Sequence, residues 1–146
     1  MAGNSSPNTL NYNKSTRYAL HAALEMALAE GRPVTSNQVA ERYSIPENVV
    51  AKVMQQLTRS GVAKGVRGVG GGYLLARKPT EVTVQDIIDI FEPMPTPDTC
   101  MLRGVSGEQC PGETLPHCRL MGLFEEVGET VRSTFASVSL ATLVGE

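Results

Sequence analysis

The stretch Val66-Arg67-Gly68-Val69-Gly70-Gly71-Gly72-Tyr73-Leu74-Leu75 sets four glycines in five residues between an arginine and an aliphatic run. Glycine gives up more backbone entropy on folding than any other residue. Such a cluster therefore marks turns, or a close approach of backbone to another body, rather than a packed core. A phosphate loop is the first alternative. Gly65-Val66-Arg67-Gly68-Val69-Gly70 lacks the GxGxxG spacing, Gly68-Val69-Gly70-Gly71-Gly72-Tyr73 lacks the sixth glycine, and no Gly-Lys-Ser/Thr follows. A dinucleotide loop also opens a helix. Here Tyr73-Leu74-Leu75-Ala76 reads as a short strand stopped by Lys78-Pro79, and Val62-Ala63-Lys64-Gly65-Val66 reads as its partner. The glycines are the tip of a β-hairpin.

Working upstream, the spacing predicts a helix from Asn48 to Ser60. Val49, Val50, Val53, Met54 and Leu57 recur at steps of three and four on one face. Pro46 suits the first turn and Gly61 the stop. The opposite face carries Asn48, Lys52, Gln55, Gln56 and Arg59. Before it, Thr35 to Tyr43 reads as a short helix capped by Thr35 or Ser36, and Ser44-Ile45-Pro46 turns the chain between the two. Helix, tight turn, helix and hairpin in that order make a winged helix-turn-helix. In that arrangement the second helix enters the DNA major groove, and the hairpin wing reaches the backbone or the minor groove.

The charge distribution agrees with that reading although the total does not. The 146-residue chain has a formal net charge of −2. Between Asn48 and Thr80, however, lie Lys52, Arg59, Lys64, Arg67, Arg77 and Lys78 and no acidic residue; the remainder holds seven basic and fifteen acidic residues. Positive charge is gathered on the segment expected to meet phosphates, where local excess outweighs overall pI. The length fits one domain with an appended helix. No apolar run reaches the length of a membrane span, and the Asn/Ser/Pro-rich start from Met1 to Asn11 has no signal pattern. The expected location is the cytoplasm, with no membrane partner and no small-molecule substrate. No Ser/His/Asp set and no framed carboxylate pair points to an enzyme, and the chain has only two histidines.

Lys14 to Glu30 reads as a largely buried helix, apolar over most of its circumference except for the stripe Arg17, His21 and Glu25. Thr83-Val84-Gln85-Asp86 resembles a capping box opening a helix from Val84 to Phe91, with Val84, Ile87, Ile88 and Phe91 inward. Pro93, Pro95 and Pro97 then forbid regular structure, so Glu92 to Pro116 reads as an irregular loop. Loops of that length are functional or disordered. Helical spacing returns from Arg119 to Val138 through Leu120, Leu123, Phe124, Val127, Val131, Phe135 and Val138. That stripe leaves packing within the monomer or against a second copy open, and the second is the expectation because helix-turn-helix regulators usually read two half-sites. Ser139 to Val144 reads as a terminal turn docked on the core.

All three cysteines fall in or at the end of the loop, as Cys100-x9-Cys110-x7-Cys118. An odd count argues against a disulfide framework. Three thiolates from one loop can hold an iron–sulfur cluster or zinc with a fourth ligand from elsewhere. The spacing matches neither a CxxC zinc knuckle nor a ferredoxin run, and it leaves a thiol redox switch and inert thiols open beside a metal site. His117 adjoins Cys118, and neighbouring residues seldom point at one metal. His21 lies mid-helix and reads as a partly exposed surface histidine. Asp98, Glu108 and Glu113 read as solvated carboxylates.

Lys14-Ser15-Thr16-Arg17-Tyr18-Ala19-Leu20, the Val66–Leu75 hairpin, Val82-Thr83-Val84-Gln85-Asp86-Ile87-Ile88 and the cysteine loop running into Cys118-Arg119-Leu120 together resemble the IscR/NsrR-like (Rrf-type) regulators. These are bacterial winged-helix transcription factors, and the resemblance covers about Leu10 to Val144. It implies a mainly α fold with a small β-hairpin wing, and a homodimer crossing through the long C-terminal helix. It implies an operator duplex contacted by the second helix of the motif, with Arg67 in a minor groove. It also implies an iron–sulfur cluster, 2Fe-2S or 4Fe-4S, that senses redox state, nitric oxide or cluster supply. Some members take the fourth ligand from the first helix of the partner subunit, which raises His21 to the candidate ligand beside Cys100, Cys110 and Cys118. Cluster-bearing members space their cysteines more closely than the gaps of nine and seven found here; others carry no cluster and respond to thiol oxidation or to a partner protein.

The expected organisation is a tail over 1–12, a DNA-binding domain over 13–91, a cysteine-bearing sensor loop over 92–118 and a dimerisation helix with its terminal turn over 119–146. The expected function is a transcription repressor switched by its cluster. The alternatives are a cluster-free thiol-sensing regulator and a winged-helix module that binds a protein. Asn48, Lys52, Gln55 and Gln56 are placed to reach base edges. Arg59, Lys64 and Arg67 suit phosphate or the minor groove, and Gly68 and Gly70 let the wing backbone lie against the sugar–phosphate chain.

Overall fold

The computed structural model describes residues 12–92 and 116–145; the side chains of residues 116–118, 120 and 121 are outside it. Helix α1 (Lys14–Leu28) is followed by α2 (Ser36–Tyr43), α3 (Glu47–Arg59), strands β1 (Ala63–Val66) and β2 (Gly72–Leu75), a 3-10 turn at Pro79–Glu81, α4 (Val84–Phe91), α5 (Pro116–Ala136) and α6 (Leu140–Leu143). The architecture is mainly helical with one antiparallel hairpin.

The core lies where α1, α2, α3 and α4 meet. From α1 it takes Met26 and four alanines, Ala19, Ala22, Ala23 and Ala27, whose small side chains let neighbouring helices approach closely. From α2 it takes Val39 and Ala40, from α3 Val50, Val53, Met54 and Leu57, from α4 Ile87, and from α6 Leu140. Helix α1 ends at Leu28, two residues short of the expected Glu30. Ala29 caps it, and Glu30 takes a left-handed φ of 49° that no α-helix continues through.

Caps fix the other boundaries. The Thr35 side chain accepts from the Gln38 N–H while Gln38 reaches back to the Thr35 N–H, closing a capping box on α2; Thr83 and Asp86 do the same for α4. At α1 the cap is tertiary. Asn13 caps Thr16, the Asn13 N–H donates to Glu92 Oε2 at 2.8 Å, and the buried Thr16 hydroxyl donates to the same carboxylate at 2.5 Å. Residue 92, expected to begin the loop, thus secures the start of α1 to the end of α4.

Helix α5 begins at Pro116, three residues before the expected Arg119, because proline suits the first helical turn. It ends at Ala136 rather than Val138. Val138 instead accepts from the Val84 N–H at 3.0 Å, the Leu140 N–H donates to Val82 O at 2.9 Å, and Thr83 bridges Ser139. These bonds attach the end of α5 to the start of α4, and Arg132 adds an ion pair to Asp89 at 3.1 Å. Residues 122–130 are exposed throughout, including Leu123, Phe124 and Val127 at 53, 57 and 52 %.

Candidate nucleic-acid interface

The turn between α2 and α3 sets the first part of the site. Ser44 adopts the left-handed conformation, its N–H capping Ala40 O, and Ile45 is buried with its N–H on the same carbonyl at 2.9 Å. Helix α3 then buries Val50, Val53, Met54 and Leu57, leaving Asn48, Lys52, Gln55, Gln56 and Arg59 exposed together on the other side. Each residue assigned to that face by spacing lies on it.

The wing continues from α3. Its root is tied on both sides: the Val62 N–H donates to Leu57 O at 3.0 Å, and the Ala76 N–H donates to Val62 O at 2.8 Å. A third contact joins the wing to the linker before α2. Val34 and Tyr73 exchange both backbone hydrogen bonds, at 2.9 and 2.8 Å. Gly72 lies so close to this linker that a Cβ there would stand 2.7 Å from Val34 O, and one on Gly71 would collide with Val66 O. The strands pair from Ala63–Leu75 to Val66–Gly72, leaving residues 67–71 as the loop. The Gly71 N–H closes a turn on Gly68 O at 3.0 Å, and Gly70 takes a φ of +79°, the third-position conformation of a type II turn.

Arg67, Gly68 and Gly70 are exposed on that loop and Lys64 on β1. Among the described residues, Lys52, Arg59, Lys64 and Arg67 form no ion pair with a carboxylate. Arg77 differs from them: it donates to Glu81 O at 2.5 Å and pairs with Asp86 at 3.7 Å, engaged by the body of the protein. Glu47, Lys78 and Val69 are exposed in this region and stand outside the sequence-based site. Glu47 opens α3, one residue before the expected start; Lys78 follows the wing; Val69 forms its apex. The acid-free run already contained Lys78, and Pro46 could have placed the helix start at Glu47.

His21 stands apart from this face. It is exposed on α1 with its ring 4.7 Å from that of Tyr43, the last residue of α2. The Tyr43 hydroxyl donates to Glu25 Oε1 at 2.7 Å, and Arg42 reaches the same oxygen at 3.0 Å. Burial, and then the Glu25 hydrogen bond and charge, hold the Tyr43 hydroxyl above the usual tyrosine range. Cys100 and Cys110 lie outside the described residues. Cys118 falls in the first turn of α5 with its side chain outside them.

Comparison with known proteins agrees with this geometry. The profile of Rrf2, described as an iron-dependent transcriptional regulator, matches residues 12–146. A protein of Rhodopseudomonas palustris named as the HTH-type transcriptional regulator BadM is 35 % identical over 132 residues, 90 % of this chain and 79 % of BadM. Among solved structures, T. potens IscR superposes with a TM-score of 0.73 at 25 % identity, covering 93 % of this chain and 87 % of that one. CymR of B. subtilis, the global cysteine regulator, superposes with the same score at 23 % identity, covering 92 and 96 %. Helix-turn-helix, wing and nearly full-length family match together place this chain in the Rrf2 family of DNA-binding transcriptional regulators.

Proposed function

We propose that the protein is a homodimeric repressor whose operator affinity is switched by an iron–sulfur cluster on Cys100, Cys110, Cys118 and the first-helix His21 of the second subunit. The observation that carries the DNA-binding part is the exposed polar face of α3 beside a basic wing in a segment without acid. Asn48, Lys52, Gln55 and Gln56 read base edges in the major groove. Arg59 and Lys64 bind phosphates, and Arg67, with Gly68 and Gly70 beside it, enters the minor groove. The half-exposed apolar stripe of Leu123, Phe124 and Val127 supports dimerisation through α5, since a patch of this kind on a long helix marks a protein interface.

Three thiolates and an imidazole suit an iron–sulfur centre chemically, and His21 is exposed on α1 with its ring 4.7 Å from that of Tyr43. When bound, such a centre supplies reactivity toward oxidants and nitric oxide. Cys118 lies in the first turn of α5, so a change in its ligation acts on the helix that sets the spacing of the two recognition helices. Anaerobically purified protein is expected to absorb near 400 nm and to contain iron and sulfide. A colourless, iron-free protein with unaltered operator binding sinks the cluster assignment.

The wide cysteine spacing favours one other reading, a cluster-free thiol sensor. It requires a disulfide among Cys100, Cys110 and Cys118 under mild oxidant, read by mass spectrometry of non-reduced peptides.

A further inference from the structure

The wing ends in an aliphatic side chain that none of the described residues covers. Val69 is fully exposed, whereas the other exposed large apolar residues among those described reach at most 57 %. It occupies the second position of the turn closed by Gly71 N–H on Gly68 O, with Gly68 and Gly70 on either side and therefore no neighbouring side chain to shield it. The last strand pair is Val66–Gly72, so the apex stands clear of the sheet. Arg67 is two residues away and also exposed. Turns facing water are built mostly from Gly, Pro, Asn, Asp and Ser, with proline common at this second position, so a valine there is unusual.

We propose that Val69 is a specificity-determining residue that enters the minor groove with Arg67 and selects A·T over G·C under the wing apex. The inference rests on the reading of the hairpin as a DNA-contacting wing. The minor groove is only about 6 Å wide, and a ribbon flanked by glycines is narrow enough to approach its floor. Narrow A·T-rich grooves concentrate negative potential, which draws Arg67 to the same place. The valine methyl groups then meet base edges and sugars. At A·T pairs they cover acceptor atoms of low relief. At G·C pairs the guanine N2 amino group projects into the groove, where an aliphatic neighbour offers it no acceptor. Minor-groove proteins do place apolar side chains in the groove, most often as wedges between base steps.

The test uses the full-length protein and a duplex that it selects from random DNA, with the wing position located by hydroxyl-radical footprinting. Each A·T pair beneath the wing is replaced by G·C and, separately, by inosine·C, which lacks the N2 amino group. Wild-type affinity is expected to fall about tenfold with G·C and to recover with inosine·C. Val69→Ser should bind the parent duplex more weakly and discriminate by no more than about twofold, while Val69→Ile keeps the preference. Wild-type indifference to G·C, or full discrimination by Val69→Ser, overturns the proposal. Arg67→Ala in the same assay separates the levels. If it weakens binding while Val69→Ser behaves as wild type, only the role of Val69 fails. If Arg67→Ala also leaves affinity unchanged, the wing does not engage DNA and the underlying reading fails with it.

Discussion

Arg67, Gly71 and Gly72 sit in one hairpin yet do separate work. Arg67 touches no carboxylate among the described residues, so its charge is free for phosphate. Arg67→Ala is expected to weaken operator binding by roughly 1–3 kcal/mol and to lower the slope of log affinity against log salt by about 1; an unchanged salt titration removes the wing from the interface. Gly71 and Gly72 act on the fold. Alanine at either meets backbone oxygen, of Val66 or Val34, and should lower unfolding free energy by about 1–3 kcal/mol. Gly65→Ala opens onto empty space and serves as the control in the same denaturant series. The Tyr43 hydroxyl is held neutral beside Glu25, so its hydrogen bond is intact below the ordinary tyrosine pKa of about 10 and is lost as pH rises through the higher folded value. Tyr43→Phe should therefore flatten part of the alkaline decline in Tm. Most of this was legible in the sequence at Arg67, where glycine and charge patterns are local. The ring contact of His21 with Tyr43 was not, because it joins residues twenty-two positions apart through the packing of two helices.

Helices follow the sequence most closely where they carry their own punctuation. Helix α4 occupies the residues expected from its capping box, Val84 to Phe91, and α2 begins where Thr35 indicated. Thr83→Ala should cost about 1 kcal/mol and cut helical content little, since packing holds Ile87 and Ile88 in place. The bounds of α5 were less legible. Its first residue is a proline, the residue type that ends regular structure at Pro93, Pro95 and Pro97 in the sequence reading, and its last turn is decided by backbone bonds to a segment some fifty positions earlier. Its apolar stripe was legible, but a stripe gives no indication of what covers it. Phe124→Asp tests the proposed partner: sedimentation should show a shift from dimer to monomer with helical content retained, and a persisting dimer would move the interface elsewhere.

Taken whole, the molecule separates two polarities. The acid-free segment from Asn48 to Thr80 lies on α3 and the wing, while the acidic balance is carried by the rest of the chain. A dimer built on this plan reads two half-sites about one helical turn, or a multiple of it, apart. Inserting five base pairs between the half-sites of a selected operator should reduce affinity to that for random DNA, because one recognition helix then faces the wrong side of the duplex. Fold class and the DNA-reading face were legible at this scale because helix-turn-helix and wing are contiguous in sequence. The proposed cysteine centre was not, since the ligand set proposed for it draws on a long loop and a second subunit.

The paired bonds between Val34 and Tyr73, with the root bonds from Leu57 and Val62, make recognition helix and wing a single stiff calliper. On the DNA-binding reading proposed above, its two jaws keep a constant interval, and one subunit spans the same stretch of duplex with or without a signal. Control of the proposed dimer would then act on the spacing or tilt between two callipers rather than on the opening of one.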